Sequence, residues 1–364
     1  MSGHIQEFTI HSYRGIRNLE LSELNSINIL TGDNNSGKTS VLEVLASIDN
    51  PQDMGAWYLG ARVANVRTSN KRLYNGFYNM FPIDEDEKKI VYTFLDEKTK
   101  RTKVEMTADI SEVQVMEKEI YRLRGLMRTE KGKAEEEIID ASCLTLNTFI
   151  NEKHVNKYNI YDFQTVISRF VHKEVSFYRT VYVSPVDYAK GDLYLEEMLS
   201  NVELYTEMIN VLQEFDNNIV HVNAIKTKDN AGATEYMVLS KNHKNALPLN
   251  VYGDGMKKAL LLLSAILKAR DGILLLDEFE TAIHTSAMDS VFSWLLKNAR
   301  KYNVQVFLTS HSKEAIEKVL RSDKELQPYI NLYTLYNYQG ENLVRKMGCL
   351  EAINAIENLG LELR

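Results

Sequence analysis

Thr31-Gly32-Asp33-Asn34-Asn35-Ser36-Gly37-Lys38-Thr39-Ser40 is the stretch on which the reading of this chain turns. Gly32, Gly37, Lys38 and Thr39 stand in the register G-x-x-x-x-G-K-[ST]. Residues 26–30 before it read as a short strand, and residues 40–46 after it read as a helix. A loop between such elements turns successive backbone N–H groups toward one point, and the helix N-terminus adds its partial positive charge there. A triphosphate suits that geometry. Gly32, Asp33, Asn34, Asn35, Ser36, Gly37, Lys38, Thr39 and Ser40 would then wrap the nucleotide. Lys38 would reach the β- and γ-phosphates, and the Thr39 hydroxyl would hold Mg²⁺. A lone match of this kind is also what a glycine turn produces by chance, so other segments have to supply partners.

Two segments far along the chain do so. Gly272-Ile273-Leu274-Leu275-Leu276-Asp277-Glu278 is an aliphatic run ending in two carboxylates. A continuous apolar run suits a strand buried on both faces, and ligands of open α/β sheets bind at the C-terminal ends of such strands. Asp277 would hold Mg²⁺ through water, and Glu278 would polarise the attacking water; a helix N-cap is the plainer alternative. Residues 304–312 form a second apolar strand that ends in Thr309-Ser310-His311-Ser312. The intervening helix, near 286–301, makes a βαβ unit that can bring the two strand ends together. His311 would then face a terminal phosphate; otherwise it is a histidine beside a Ser312 cap. Between these segments, Gly253-Asp254-Gly255-Met256-Lys257-Lys258 leads into a helix that is apolar almost all round. Lysines in its first turn oppose the helix dipole unless an anion sits there.

The rest of the chain is compatible with a globular enzyme. Its 364 residues suffice for one large or two moderate domains. A net charge of −7 excludes a wholly basic surface, so any polyanion site must be local. Cys143 and Cys349 stand apart with no C-x-x-C, which argues against a zinc knuckle and a disulfide scaffold. Residues 1–7 are polar, and the longest apolar run is too short to span a bilayer; a soluble, cytoplasmic protein is expected. Arg14 and Arg17, beside Gly15, are candidates to face the nucleotide. Arg62, Arg67, Lys71 and Arg72, interleaved with Tyr58 and Tyr74, could grip a phosphate backbone or form a solvated loop face.

For the organisation, the pattern predicts strands over 5–30 and a hairpin at 89–95 and 102–108. Val113, Met116, Ile120, Leu123 and Met127 recur at helical spacing, so 111–139 is expected as helix, and 141–180 as mostly helical. Strand is expected at 180–185, helix at 193–215, an antiparallel pair at 219–225 and 235–240, a hairpin at 331–346 and a helix over 350–359. The division is 1–108 and 181–364 as two parts of one head, with 109–180 as a helical insert or lid.

With these residues placed, the chain resembles an ABC-type P-loop ATPase of the SMC/RecF/OLD lineage. Within it the likeness is greatest to the stand-alone AAA-family ATP-binding proteins of prokaryotic antiphage systems. The matching pieces are Tyr13-Arg14-Gly15-Ile16, the Walker A loop, Gly253-Asp254-Gly255-Met256-Lys257 as signature motif, Leu275-Leu276-Asp277-Glu278 as Walker B and His311 as switch histidine. The resemblance implies an α/β head with a mixed, largely parallel core sheet and an N-terminal antiparallel region. It implies ATP and Mg²⁺, and two heads sandwiching nucleotide, with Gly253, Asp254, Gly255 and Lys257 completing the other protomer's site. The usual signature serine is Gly253 here, and no Q-loop glutamine can be placed. Only about 50 residues follow His311, too few for a Toprim nuclease domain, so an effector nuclease or toxin is expected on a separate chain. The alternative expectation is a RecF-like DNA-repair ATPase that binds nucleic acid directly; a third is a protein in which ATP is only structural.

Overall fold

A computed structural model describes residues 3–62, 72–116, 119–120, 123, 138–165, 176–185, 187, 195–213, 215–226, 234–281 and 288–359. In chain order the strands are β1 (Ile5–Tyr13), β2 (Ile16–Leu21), β3 (Ile27–Gly32), β4 (Lys89–Asp96), β5 (Arg101–Met116), β6 (Ile138–Ile150), β7 (Lys153–Tyr161) and β8 (Thr180–Val183). They continue as β9 (Ile219–Lys226), β10 (Thr234–Ser240), β11 (Leu247–Pro248), β12 (Ile273–Leu276), β13 (Gln305–Thr309), β14 (Ile330–Tyr338) and β15 (Glu341–Gly348).

The central sheet has the order β15-β14-β3-β13-β12-β8. Its neighbours are parallel from β14 to β8, and β15 closes the edge antiparallel. Both faces of its inner strands are covered, which is why they read as unbroken apolar runs. Leu274 and Leu276 of β12, with Val306 and Leu308 of β13, pack toward helices Asp254–Lys268, Met288–Lys301, Lys313–Arg321 and Cys349–Leu359. The alternate residues Ile273, Leu275 and Phe307 pack to the other side, against helix Lys38–Ala46 and the N-terminal strands. The 2-residue period of a strand thus splits one run between two cores. A third cluster joins helix Val202–Gln213, β9, β10 and the outer face of helix Asp254–Lys268.

The α/β class with a mixed core sheet agrees with the expectation, as do the strand–loop–helix at residues 27–46 and the βαβ unit at 273–309. The helical insert does not. Residues 101–116 and 138–161 form β5, β6 and β7, which extend an antiparallel sheet of order β2-β1-β4-β5-β6-β7. Val113 and Met116 pair with Ala141 and Ile138 across β5–β6 instead of lining a helix. The signal was present in β6, where Leu144, Leu146, Thr148 and Ile150 are buried and the residues between them are not. That is period two, and long-range pairing with β5 overrides local helical spacing. Glu119, Ile120 and Leu123 are helical; Met127 lies outside the described residues. Phe149 and Phe163 are half-buried. Residues 109–116 and 138–161 therefore continue the N-terminal sheet, where a helical insert was expected.

Candidate functional site

The loop after β3 has the backbone that its glycines permit. Gly32 has φ 137°, and a Cβ there would lie 2.0 Å from the Leu335 carbonyl oxygen of β14, which pairs directly with it. Gly37, at φ 100°, is the N-cap of helix Lys38–Ala46, and no side chain caps that terminus. Asn35 is also left-handed, at φ 64°. The first-turn N–H groups are thus left for an outside acceptor, with the positive end of the dipole behind them. Asp33, Asn34 and Asn35 are exposed, and Ser36 is buried.

Lys38 is buried and folds back over its own loop. Its Nζ donates to Gly32 O at 2.8 Å, Asp33 O at 2.8 Å and Ser36 Oγ at 3.3 Å. Burial pushes its pKa below the ordinary lysine value, while the carboxylates of Asp277, Asp33, Glu278 and Glu280 resist that shift. The ammonium is held where those oxygens can be exchanged for phosphate oxygens.

The parallel register of β12 with β13 and β8 brings the distant segments to this loop. Asp277, 5% exposed, directs its backbone N–H to Val183 O at 3.0 Å. Its Oδ1 accepts from Thr309 Oγ1 at 2.5 Å and Thr39 Oγ1 at 3.3 Å, and its Oδ2 accepts from Tyr182 OH at 2.8 Å. Thr309 Oγ1 also accepts the Glu278 N–H at 2.8 Å. Glu278 sits at φ 47°, an unusual backbone for a non-glycine residue. The His311 N–H donates to Glu280 Oε1 at 2.9 Å, and Ser312 caps helix Lys313–Arg321 by accepting from Ala315 N. His311 thus adjoins a helix cap and lines the same cavity as Lys38 and Glu278.

One cavity of about 640 Å³ collects these groups. Asn35, Gly37, Lys38, Thr39 and Ser40 line it together with Asp277, Glu278 and His311. Its remaining walls are Arg14, Glu43, Tyr58, Leu59, Arg62, and Tyr182 with Ser184, Pro185 and Asp187. Asp277 and Thr39 converge as oxygen donors, and among the described residues no group of three or more His, Cys, Asp or Glu could cage a metal. Hard oxygen donors of this kind fit Mg²⁺, which keeps water and substrate oxygens in its shell.

Arg14 lines the cavity, but its donors are committed: to Gly60 O, to Asn79 O at 3.2 Å, and in an ion pair with Glu43 at 3.4 Å. Arg62 pairs with the other oxygen of Glu43 at 2.6 Å, and the Tyr13 hydroxyl donates to the same carboxylate at 2.9 Å. Burial first, and Glu43 second, push the Tyr13 pKa far up, so that hydroxyl keeps its proton. Arg17 pairs with Glu85 and does not line the cavity. Arg67 and Lys71, from the expected basic cluster, lie outside the described residues, as does the side chain of Arg72. Gly253, Gly255 and Lys257 do not line the cavity either, and the Asp254 side chain lies outside the described residues.

Sequence reasoning missed Tyr182, Glu43 and the double role of Thr309. Each sits inside an ordinary strand or helix pattern, and only segments distant in the same chain give it a partner.

The fold and the cavity define a P-loop ATPase. Residues 150–317 match the family described as "AAA domain, putative AbiEii toxin, Type IV TA system", and the chain carries an AAA-type ATPase domain. It is 25% identical to the ATP/GTP phosphatase of Helicobacter pylori over 383 aligned positions, spanning 93% of this chain and 96% of that one. It is 39% identical over 116 residues to the uncharacterized protein MJECL11 of Methanocaldococcus jannaschii, spanning 31% of this chain and 98% of that one; the chain belongs to one family with that archaeal protein. Its fold is similar to that of an Smc head solved bound to the C-winged helix domain of ScpA, with a TM-score of 0.52, 10% identity, and 96% and 99% of the two chains covered. No helix among the described residues is long and apolar enough to cross a membrane.

Proposed function

We propose that this chain is an ATP-driven switch that closes on a second copy of itself around Mg²⁺·ATP and thereby controls a separate effector, a nuclease or toxin, in antiphage defence. Lys38 and the N–H groups behind Gly37 bind the β- and γ-phosphates. Thr39 and Asp277 hold Mg²⁺, which when bound neutralises phosphate charge. Glu278 takes the proton of the attacking water, and His311 donates to the terminal phosphate. Gly253, Asp254, Gly255 and Lys257 act on the partner's nucleotide.

The observation that carries this reading is the division of the machinery. The phosphate loop, both carboxylates and His311 share one cavity, whereas the helix that begins at Asp254 presents its N-terminus elsewhere, behind an exposed Gly253 whose Cβ position has nothing within 4 Å among the described residues. The description of the matching family supports an effector in a toxin–antitoxin or defence setting.

The test uses Glu278→Gln, which retains the shape of the side chain and removes the base. Incubated with ATP and Mg²⁺, this variant is expected to trap nucleotide and double in mass by light scattering, while turnover falls about 10²-fold or more. Turnover equal to wild type makes ATP a structural ligand only, and a monomer at saturating ATP removes the sandwich. Co-expression with the product of the adjoining gene tests the effector: formation of the complex should depend on nucleotide.

A further inference from the structure

We propose that Tyr182 is a positioning residue for Asp277, its hydroxyl holding the carboxylate in the one orientation that receives Mg²⁺ with the triphosphate. The inference rests on the reading of the cavity as an ATP site and assigns a role to the wall for which no Q-loop glutamine could be found.

Residues of β8 alternate. Val181 and Val183 pack into the helical side of the core, so Tyr182 projects from the opposite face, the side on which helix Lys38–Ala46 lies. There its hydroxyl donates to Asp277 Oδ2 at 2.8 Å while Thr39 and Thr309 occupy Oδ1. Three hydroxyls from three separate elements therefore grip one nearly buried carboxylate. Tyr182 is the only one of the three that reaches Oδ2. Thr39 sits on the phosphate-loop helix, and Thr309 is shared with the Glu278 N–H. Among the described residues Tyr182 supplies the hydrogen bond to Oδ2, so its loss leaves that oxygen free to turn about the terminal bond of the carboxylate. Partners of this kind behind a metal-binding carboxylate set its orientation, and their loss weakens metal binding. The Tyr182 ring lines the same cavity, followed by Ser184 and Asp187, which close the turn on themselves: Ser184 N and Oγ donate to Asp187 Oδ2 at 2.9 and 2.7 Å.

Tyr182→Phe removes one oxygen and keeps the ring. Binding of a non-hydrolysable ATP analogue is measured by calorimetry at stepped Mg²⁺ concentrations for the wild type, Tyr182→Phe and Lys38→Ala. For Tyr182→Phe the Mg²⁺ concentration that half-restores tight binding is expected to rise about tenfold, with metal-free analogue affinity and the apo melting temperature unchanged. A shift in melting temperature with an unmoved Mg²⁺ midpoint makes Tyr182 a packing residue and overturns the proposal, as does a midpoint that falls. Lys38→Ala separates the two layers of the argument. If it binds analogue as the wild type does, the cavity is not the nucleotide site and both readings fail. If it loses binding while Tyr182→Phe keeps the wild-type midpoint, only the role of Tyr182 fails.

Discussion

Lys38 must be charged to bind a polyphosphate, yet it is buried. Desolvation lowers its pKa below the 10.5 of an ordinary lysine, and Asp277, Asp33, Glu278 and Glu280 only partly restore it. The sign of the consequence follows. The free protein loses the Lys38 proton at a lower pH than a solvated lysine would, so triphosphate affinity declines as pH climbs toward that lowered value and starts to do so below 10.5. Dissociation constants for the ATP analogue measured across pH 7–10 should show this early alkaline loss, absent in Lys38→Arg, whose guanidinium stays protonated throughout. Retention of full affinity to pH 10 would show that the carboxylates dominate burial. Much of this residue scale was legible in the chain: the types and register of Gly32, Gly37, Lys38, Thr39, Asp277, Glu278 and His311 name the chemistry. The commitments of Arg14 were not, because Gly60 O and Asn79 O come from positions 46 and 65 residues away.

At the scale of elements, the close approach of β3 to β14 decides why position 32 is glycine. Its left-handed φ and the 2.0 Å approach of the Leu335 oxygen to a Cβ both exclude a side chain. Gly32→Ala is expected to destabilise the fold by roughly 2–4 kcal/mol, read from the midpoint of urea unfolding, and to weaken nucleotide binding as β14 is pushed from the loop. Strands β3, β12 and β13 could be read in advance because burial on both faces makes their sequences continuously apolar. The first half of β5, residues 102–108, is legible as one arm of a hairpin, but past residue 110 the helical spacing of Val113, Met116, Ile120 and Leu123 competes with the strand period. Only pairing between Val104–Met116 and Ile138–Ile150 decides between the two periods.

At the scale of the whole molecule, the proposed sandwich depends on surfaces that one copy leaves open. Gly253, at φ 91° and ψ 163°, occupies backbone that is essentially reserved for glycine. This gives a physical reason for glycine where the signature motif usually has serine: any side chain there costs about 1–3 kcal/mol. Gly253→Arg should lose about that much stability and still fold, since among the described residues nothing lies within 4 Å of its Cβ. It should bind the ATP analogue as the wild type does and fail to double in mass with ATP and Mg²⁺. Doubling that persists in this variant places the interface elsewhere.

The amino-acid sequence by itself determined the class of the core and suggested the chemistry proposed for the site, because a phosphate loop and doubly buried strands are encoded by contiguous residues whose types and spacing admit few other uses. The tertiary structure alone decided which hydroxyls hold Asp277, which arginines are spent on Glu43, and that residues 109–116, 138–150 and 153–161 are strand. Each of those outcomes depends on a partner tens to hundreds of residues distant, and the energy of such a pair resides in neither segment until the fold brings them together.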